Sequence, residues 1–231
     1  MKKFLSIFAI MATFLTTTAN AEIVVDADVS ATTNLIHHGD TLSARGPSAG
    51  LGLTVKETGT GFFGKYNVNT VSVPQRNANL LHVADLGYGT SFRDVALGGG
   101  YRYYYFTGGN SALGNPNDLN HGELFLNASA FGVSGEYNRV INANLLGGAK
   151  SDSYARVAYS RQAFFKGLTP FVGLTRSHFQ STGYNGYGWD AGVDYAFNKN
   201  VNVGFTHVRA SNVSSVGVRQ NQNSVGITYK F

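Results

Sequence analysis

Residues 188–208, GWDAGVDYAFNKNVNVGFTHV, alternate between an apolar and a polar set. Trp189, Ala191, Val193, Tyr195 and Phe197 share one parity, and Gly188, Asp190, Gly192, Asp194 and Ala196 the other. After Asn198-Lys199-Asn200 the alternation restarts, with Val201, Val203 and Phe205 set against Asn202, Gly204 and Thr206. Successive side chains of a strand point to opposite faces, so a period of two predicts a hairpin with one apolar and one polar face. The pattern recurs and predicts twelve strands, near 23–35, 48–57, 60–70, 80–89, 95–105, 121–130, 132–139, 153–162, 169–179, 187–197, 201–209 and 222–231. No helical periodicity interrupts them, so residues 22–231 read as one all-β domain.

The connections alternate in length. Thr58-Gly59, Thr90–Asp94, the turn at Phe131, Ala163–Leu168 and Asn198–Asn200 are short, whereas 36–47, 71–79, 106–120, 140–152, 180–186 and 210–221 are long. Short turns at one end and longer loops at the other predict a transmembrane antiparallel up-and-down β-barrel with the apolar face toward lipid. Charges agree with this. Arg102 opposes the Val95, Leu97, Tyr101, Tyr103 parity, Asp26 and Asp28 oppose Val25 and Val29, and Lys230 opposes Ile227 and Tyr229. A Lys or Arg facing the bilayer midplane costs about 2–4 kcal/mol. Tyr, Trp and Phe gather toward strand ends, as in Tyr187/Trp189 and Tyr229/Phe231, where interfacial girdles lie. One strand is ambiguous. In 168–179, Pro170, Val172 and Leu174 share parity with Arg176, and keeping Arg176 from lipid places Phe171 outward.

Composition sharpens the choice of solvent. Charged residues make up 13% of the chain, against about 25% in soluble domains, and glycine is abundant at 29 residues. Residues 1–21 carry Lys2 and Lys3, an apolar stretch from Phe4 to Leu15 and a small-x-small site at Ala19-Asn20-Ala21. These are the parts of a cleaved secretory signal peptide. Without cysteine, the exported chain holds no disulfide or thiolate metal site. The mild basic excess left after removal of Lys2 and Lys3 does not point to nucleic acid.

The stretch Ala31–Val71 carries Arg45-Gly46-Pro47 ahead of the second strand, Gly61-Phe62-Phe63-Gly64 opening the third, and Asn67-Val68 near its end. In these pieces it resembles the TorF-type porin family, and the Tyr-rich fifth strand, the Glu123 strand and Phe171-Val172-Gly173-Leu174 are similar in outline. His37-His38-Gly39-Asp40 departs from the family pattern in the first loop. The resemblance implies a porin-type barrel of a Gram-negative outer membrane. The terminal aromatic strand resembles the signal read by the barrel assembly machinery, making that machinery and outer-membrane lipids expected partners.

Candidate chemistry is sparse. Gly59-x-Gly61-x-x-Gly64 spells a dinucleotide fingerprint, but a strand follows where a helix is required. His37, His38 and Asp40 could approach a metal, yet adjacent histidines diverge in extended chain, and a solvated loop without metal or cofactor is the reading adopted. Ser72 and His82 near the loop ends of the third and fourth strands suggest a lipid-modifying hydrolase. No acid is placed to orient His82, and the chain is not read as an enzyme. The lumen side carries Arg102, Arg156, Glu123, Asp194, Asp85 and Lys65 as the candidate lining, with Asp26, Asp28, Lys56, Glu136, Asp190 and Lys230 on the same parity. Signs are too mixed for ion selectivity. Twelve strands lie between filled eight-stranded barrels and open sixteen-stranded ones. The expected function is passive diffusion of small hydrophilic solutes, both termini periplasmic, with a hydrolase or a plugged structural or adhesive barrel as alternatives.

Overall fold

The computed structural model describes residues 22–38, 40–73, 78–108, 119–143, 151–162, 165–180, 184–211 and 220–231. The signal peptide read from residues 1–21 lies outside them, as does much of the long connections. Twelve strands form a closed antiparallel barrel. They are β1 (Ile23–Thr32), β4 (Ser48–Glu57), β5 (Phe62–Val73), β6 (Ala78–Phe92), β7 (Val95–Gly108), β8 (His121–Ala130), β9 (Val133–Ala143), β10 (Ser153–Ser160), β11 (Leu168–Phe179), β12 (Tyr184–Ala196), β13 (Val201–Ser211) and β14 (Gln220–Lys230). Each pairs with its neighbour in sequence, and β1 closes the ring against β14 through Asp28↔Lys230 to Thr32↔Gly226. Closure leaves no sheet edge, which lipid would not tolerate. The remaining strands, β2 (Ile36–His37) and β3 (Asp40–Thr41), form a small hairpin inside the first long connection.

Turn chemistry explains the tight end. Phe131 (φ 51°) and Gly132 (φ 84°) both hold positive φ, the requirement of a two-residue type I′ hairpin turn. At Thr58–Thr60 the Glu57 carboxylate accepts hydrogen bonds from Gly59 and Thr60 N–H at 2.7 and 2.6 Å. The glycine-rich fingerprint is therefore a hairpin turn running into β5. Both described ends of the chain lie at this short-turn end, since Ile23 pairs with Glu57 and the Phe231 N–H donates to Ala27 O.

The outer wall is an apolar band. Leu51, Leu126 and Leu174 are 61%, 62% and 68% exposed, which in water would be costly and in hydrocarbon is not. β11 corrects the expectation for its parity: Pro170, Val172, Leu174 and Arg176 face out, and Phe171, Thr175 and the buried Gly173 and Ser177 face in. Arg176 sits close to the interface. It lies three residues from the loop end of β11, over the Tyr187 ring at 5.8 Å. A cation near the interface costs only about 0–1 kcal/mol, less than turning Leu174 and Val172 into an aqueous lumen.

Candidate functional site: the lumen constriction

Directly opposed positions on neighbouring strands share a face, so the register lines up inward charges. Lys65↔Asp85, Asp85↔Arg102 and Arg102↔Glu123 follow one another round the wall. Arg102 donates from Nε and Nη2 to the two Asp85 carboxylate oxygens at 2.8 and 3.0 Å, and its Nη1 lies 3.6 Å from Glu136. The guanidinium also covers the Phe125 ring at 4.9 Å. Arg156, on β10, donates to Asp190 on β12 through Nε at 3.0 Å and through Nη2. Bidentate pairing of this kind is the strong form of a charged hydrogen bond. Glu123 is buried and lies 3.5 Å from His121 Nε2.

Of the six lumen residues read from sequence, the structure thus joins Asp85 with Arg102, gives Arg156 and Glu123 separate partners, and leaves two apart. Lys65 is exposed, on the Asp85 register. Asp194 lies toward the short-turn end over Gly204, where a Cβ would come within 2.7 Å of its carboxylate.

The first connection changes the picture most. It is not a solvated loop, as expected for His37 and His38, but enters the barrel. Leu35 and Leu42 pack on an inward apolar cluster of Val71, Ala78, Leu81, Tyr104 and Phe106 at the loop end of β5–β7. The Asn34 amide donates to Gln222 at 2.8 Å and its oxygen accepts from Ser43 at 3.2 Å and from Thr41. The Leu42 carbonyl accepts the Ser72 N–H at 2.8 Å. So held, the β2–β3 hairpin carries His38 at φ 49°, a left-handed conformation that histidine adopts more readily than most residues.

Five rings then form a continuous chain inside the barrel, the two loop histidines lying between rings of β7–β8 and β10. His121 stacks on Tyr104 at 4.4 Å, Tyr104 meets His37 at 5.1 Å, His37 stacks on His38 at 3.8 Å, and His38 stacks on Tyr154 at 4.1 Å. The bridge joins β7–β8 to β10. His37 is held down to about 4, by removal from water first, against the opposing Glu123 charge and with smaller lowering contributions from His121 and Arg102. His38 is held well below its ordinary value by burial first, then by the charges on His37, Arg102 and His121. Among the described residues, His38 Nε2, Glu123 Oε2 and Asn138 Oδ1 are buried without a hydrogen-bond partner. Among the described residues no group of three or more His, Asp or Glu could hold a metal, and the Asp40 side chain lies outside the description. Sequence reasoning missed the bridge. The parity of Tyr104, opposite to Tyr103 and Tyr105, was the signal that an aromatic ring faces the lumen.

The hydrolase pair is not assembled. Val68, not Ser72, opposes His82, and Ser72 lies four residues further along β5, about 13 Å at 3.3 Å per residue. His82 instead has Nδ1 2.7 Å from Tyr66 Oη and Nε2 3.2 Å from Thr107 Oγ1.

Comparison with known proteins follows from this geometry. The chain is similar to a solved KdgM porin, at 14% identity and a TM-score of 0.58, covering 89% of this chain and 99% of that one. It is likewise similar to the KdgM porin in complex with disordered oligogalacturonate, at 13% identity and a TM-score of 0.59, with 90% and 99% covered. The fold is that of a porin barrel. At such identity the likeness concerns architecture, twelve strands closed in sequence order. No protein-family model matches the chain, and no curated protein matches its sequence.

Proposed function

We propose that the chain is a passive channel of a Gram-negative outer membrane for small hydrophilic solutes, constricted by its first loop, with the termini and short turns periplasmic. One observation carries the reading: a closed barrel whose outward set is apolar and whose inward set holds paired charges and hydroxyls. Solutes would exchange part of their hydration for these groups while the β2–β3 hairpin limits the aperture. The fold likeness to the KdgM porin supports it, as does the resemblance of Ala31–Val71 to the TorF-type porins. Phe231, 75% exposed at the end of β14, suits recognition by the assembly machinery, and the outer band suits bilayer lipid. The polyanion in the KdgM complex is a poor guide here. Both constriction arginines are already paired with carboxylates, so a string of uronates would meet Asp85, Glu136 and Asp190 as well.

The five-ring bridge favours a second reading, a barrel sealed by its own loop that serves as scaffold. Planar-bilayer recording of the purified protein separates the two. Discrete conductance steps that scale with salt support the channel, and a membrane that stays silent with correctly folded barrel inserted overturns it.

A further inference from the structure

Phe171 puts an apolar ring on the inward face of β11, half-buried, as Phe63 and Phe125 do on β5 and β8, but it alone of the three lines a cavity beside Arg156 and Asp190. Its position is built. Gly192 on β12 lies under it, where a Cβ would meet the Phe205 carbonyl oxygen at 2.1 Å and Phe171 Cζ at 2.5 Å, so the ring lies against a wall position that holds no side chain. Gly173 does the same for the guanidinium of Arg156, whose Nε would be 3.0 Å from a Cβ there. Ring and guanidinium thus form a shelf with Asp190 beside them. The cavity beside the shelf is open, of about 410 Å³, and lined also by His38 and Tyr154, by the apolar Leu35 and Val208, and by Thr175 and Thr206. That volume falls within the roughly 300–1,000 Å³ of small-ligand pockets.

We propose that this cavity is a subsite for the pyranose ring of a neutral sugar, on the path the solute follows. The inference rests on the channel reading and names its solute class. An aromatic face suits the C–H face of a pyranose, which is apolar although its rim is not. The rim needs donors and acceptors together. Arg156 has guanidinium N–H groups beyond the two given to Asp190, the Asp190 carboxylate has further lone pairs, and the Thr175 and Thr206 hydroxyls can donate or accept, whereas the Ser224 proton is already given to Asn34 O. Charge sets the class. Arg156 and Asp190 neutralise each other through two hydrogen bonds. A charged ligand would have to break that pair or sit against the like charge, and a neutral polyol does neither.

The test uses the detergent-solubilised barrel for calorimetric binding and the same protein in planar bilayers for current block. Probes are maltose, cellobiose, lactose and sucrose, with digalacturonate as the anionic arm and ethylene glycol as a viscosity control. At least one neutral disaccharide is expected to bind at millimolar concentration and to interrupt the current at the same concentration. Digalacturonate is expected to bind at least tenfold more weakly. Phe171→Ala and, separately, Asp190→Asn are expected to weaken binding tenfold or more, with the folded barrel verified by its heat-modifiable migration. Binding by none of the four sugars, stronger binding of digalacturonate, or binding untouched by Phe171→Ala each overturns the subsite. A barrel that binds sugar but never conducts keeps the subsite and loses the channel; one that conducts but binds none does the reverse.

Discussion

Acid should release the ring bridge. With the hairpin inserted, His37 is held at about 4, whereas a histidine in water titrates near 6.5. The inserted state therefore binds fewer protons than the released one. Its stability is complete above pH 6.5, falls as pH drops through the interval from 6.5 to 4, and levels off below. From the two values, the ratio of inserted to released hairpin at pH 5 falls about 30-fold from its value at pH 8, a loss of about 2 kcal/mol. His38, displaced in the same direction, adds to this. Four ring contacts at about 0.5–1.5 kcal/mol each supply about 2–6 kcal/mol beside the packing of Leu35 and Leu42 and the Asn34 hydrogen bonds, so a loss of that size shifts the balance toward release without abolishing the inserted state. Other charged or titratable groups face the pair: Arg102 and Tyr104 on β7, His121 and Glu123 on β8, Tyr154 and Arg156 on β10. Of these, Glu123 is the group whose charge favours a protonated His37.

The assay is single-channel recording at pH 7.5 and pH 5.0 at constant salt. Wild-type barrel is expected to move toward a larger-conductance open state by tenfold or more in occupancy. The variant His37→Phe/His38→Phe keeps rings at both positions and removes the titration, so its occupancy is expected to change less than about twofold. Equal pH responses in the two proteins would refute the reasoning, because the proton would then act on Glu123 or another wall carboxylate. A wild-type response of opposite sign, closing in acid, would refute it as directly.

Three further outcomes follow from the same geometry. Tyr104→Ala removes a ring 1% exposed at the centre of the bridge and the inward cluster; it should cost about 3–5 kcal/mol by analogy with other large aromatic truncations and raise conductance at neutral pH, measured by urea unfolding and bilayer recording. Arg102→Gln leaves Asp85 and Glu136 without their cation, so reversal potentials in a KCl gradient should shift toward cation selectivity; an unchanged potential would mean these carboxylates lie off the conducting path. Leu174→Arg should destabilise the barrel in lipid by about 2–4 kcal/mol while Thr175→Arg, one position along on the inward face, should cost much less, read by urea titration in vesicles; equal losses would contradict the parity assigned to β11.

The barrel was legible because its cause is local and repeated. Each strand needs only a period of two, and each short turn only its own residues, so alternation, loop lengths and the parity of Arg102, Asp28 or Lys230 specify closure without any long-range contact being known. The charged lumen followed from that parity for the same reason: Asp85 and Arg102 share a face because their strands are adjacent. What escaped was decided by comparison between alternatives that a single strand does not contain. For β11 the sequence offers Arg176 against Leu174 and Val172, and the resolution depends on depth. Arg176 can reach the interface past Tyr187 while Leu174 sits near mid-strand, and depth is a property of the whole barrel. The His37–His38 loop escaped on similar grounds. Nothing in His-His-Gly-Asp points inward until Leu35 and Leu42 find an apolar shelf formed by β5, β6 and β7, and until Tyr104 of β7 and Tyr154 of β10 supply ring faces. The solute path is therefore shaped where the repeat is broken. Inward aromatics serve different ends: Phe125 packs under the Arg102 guanidinium, Tyr104 and Tyr154 hold the barrel's own loop, and Phe171, on the reasoning above, holds a sugar ring.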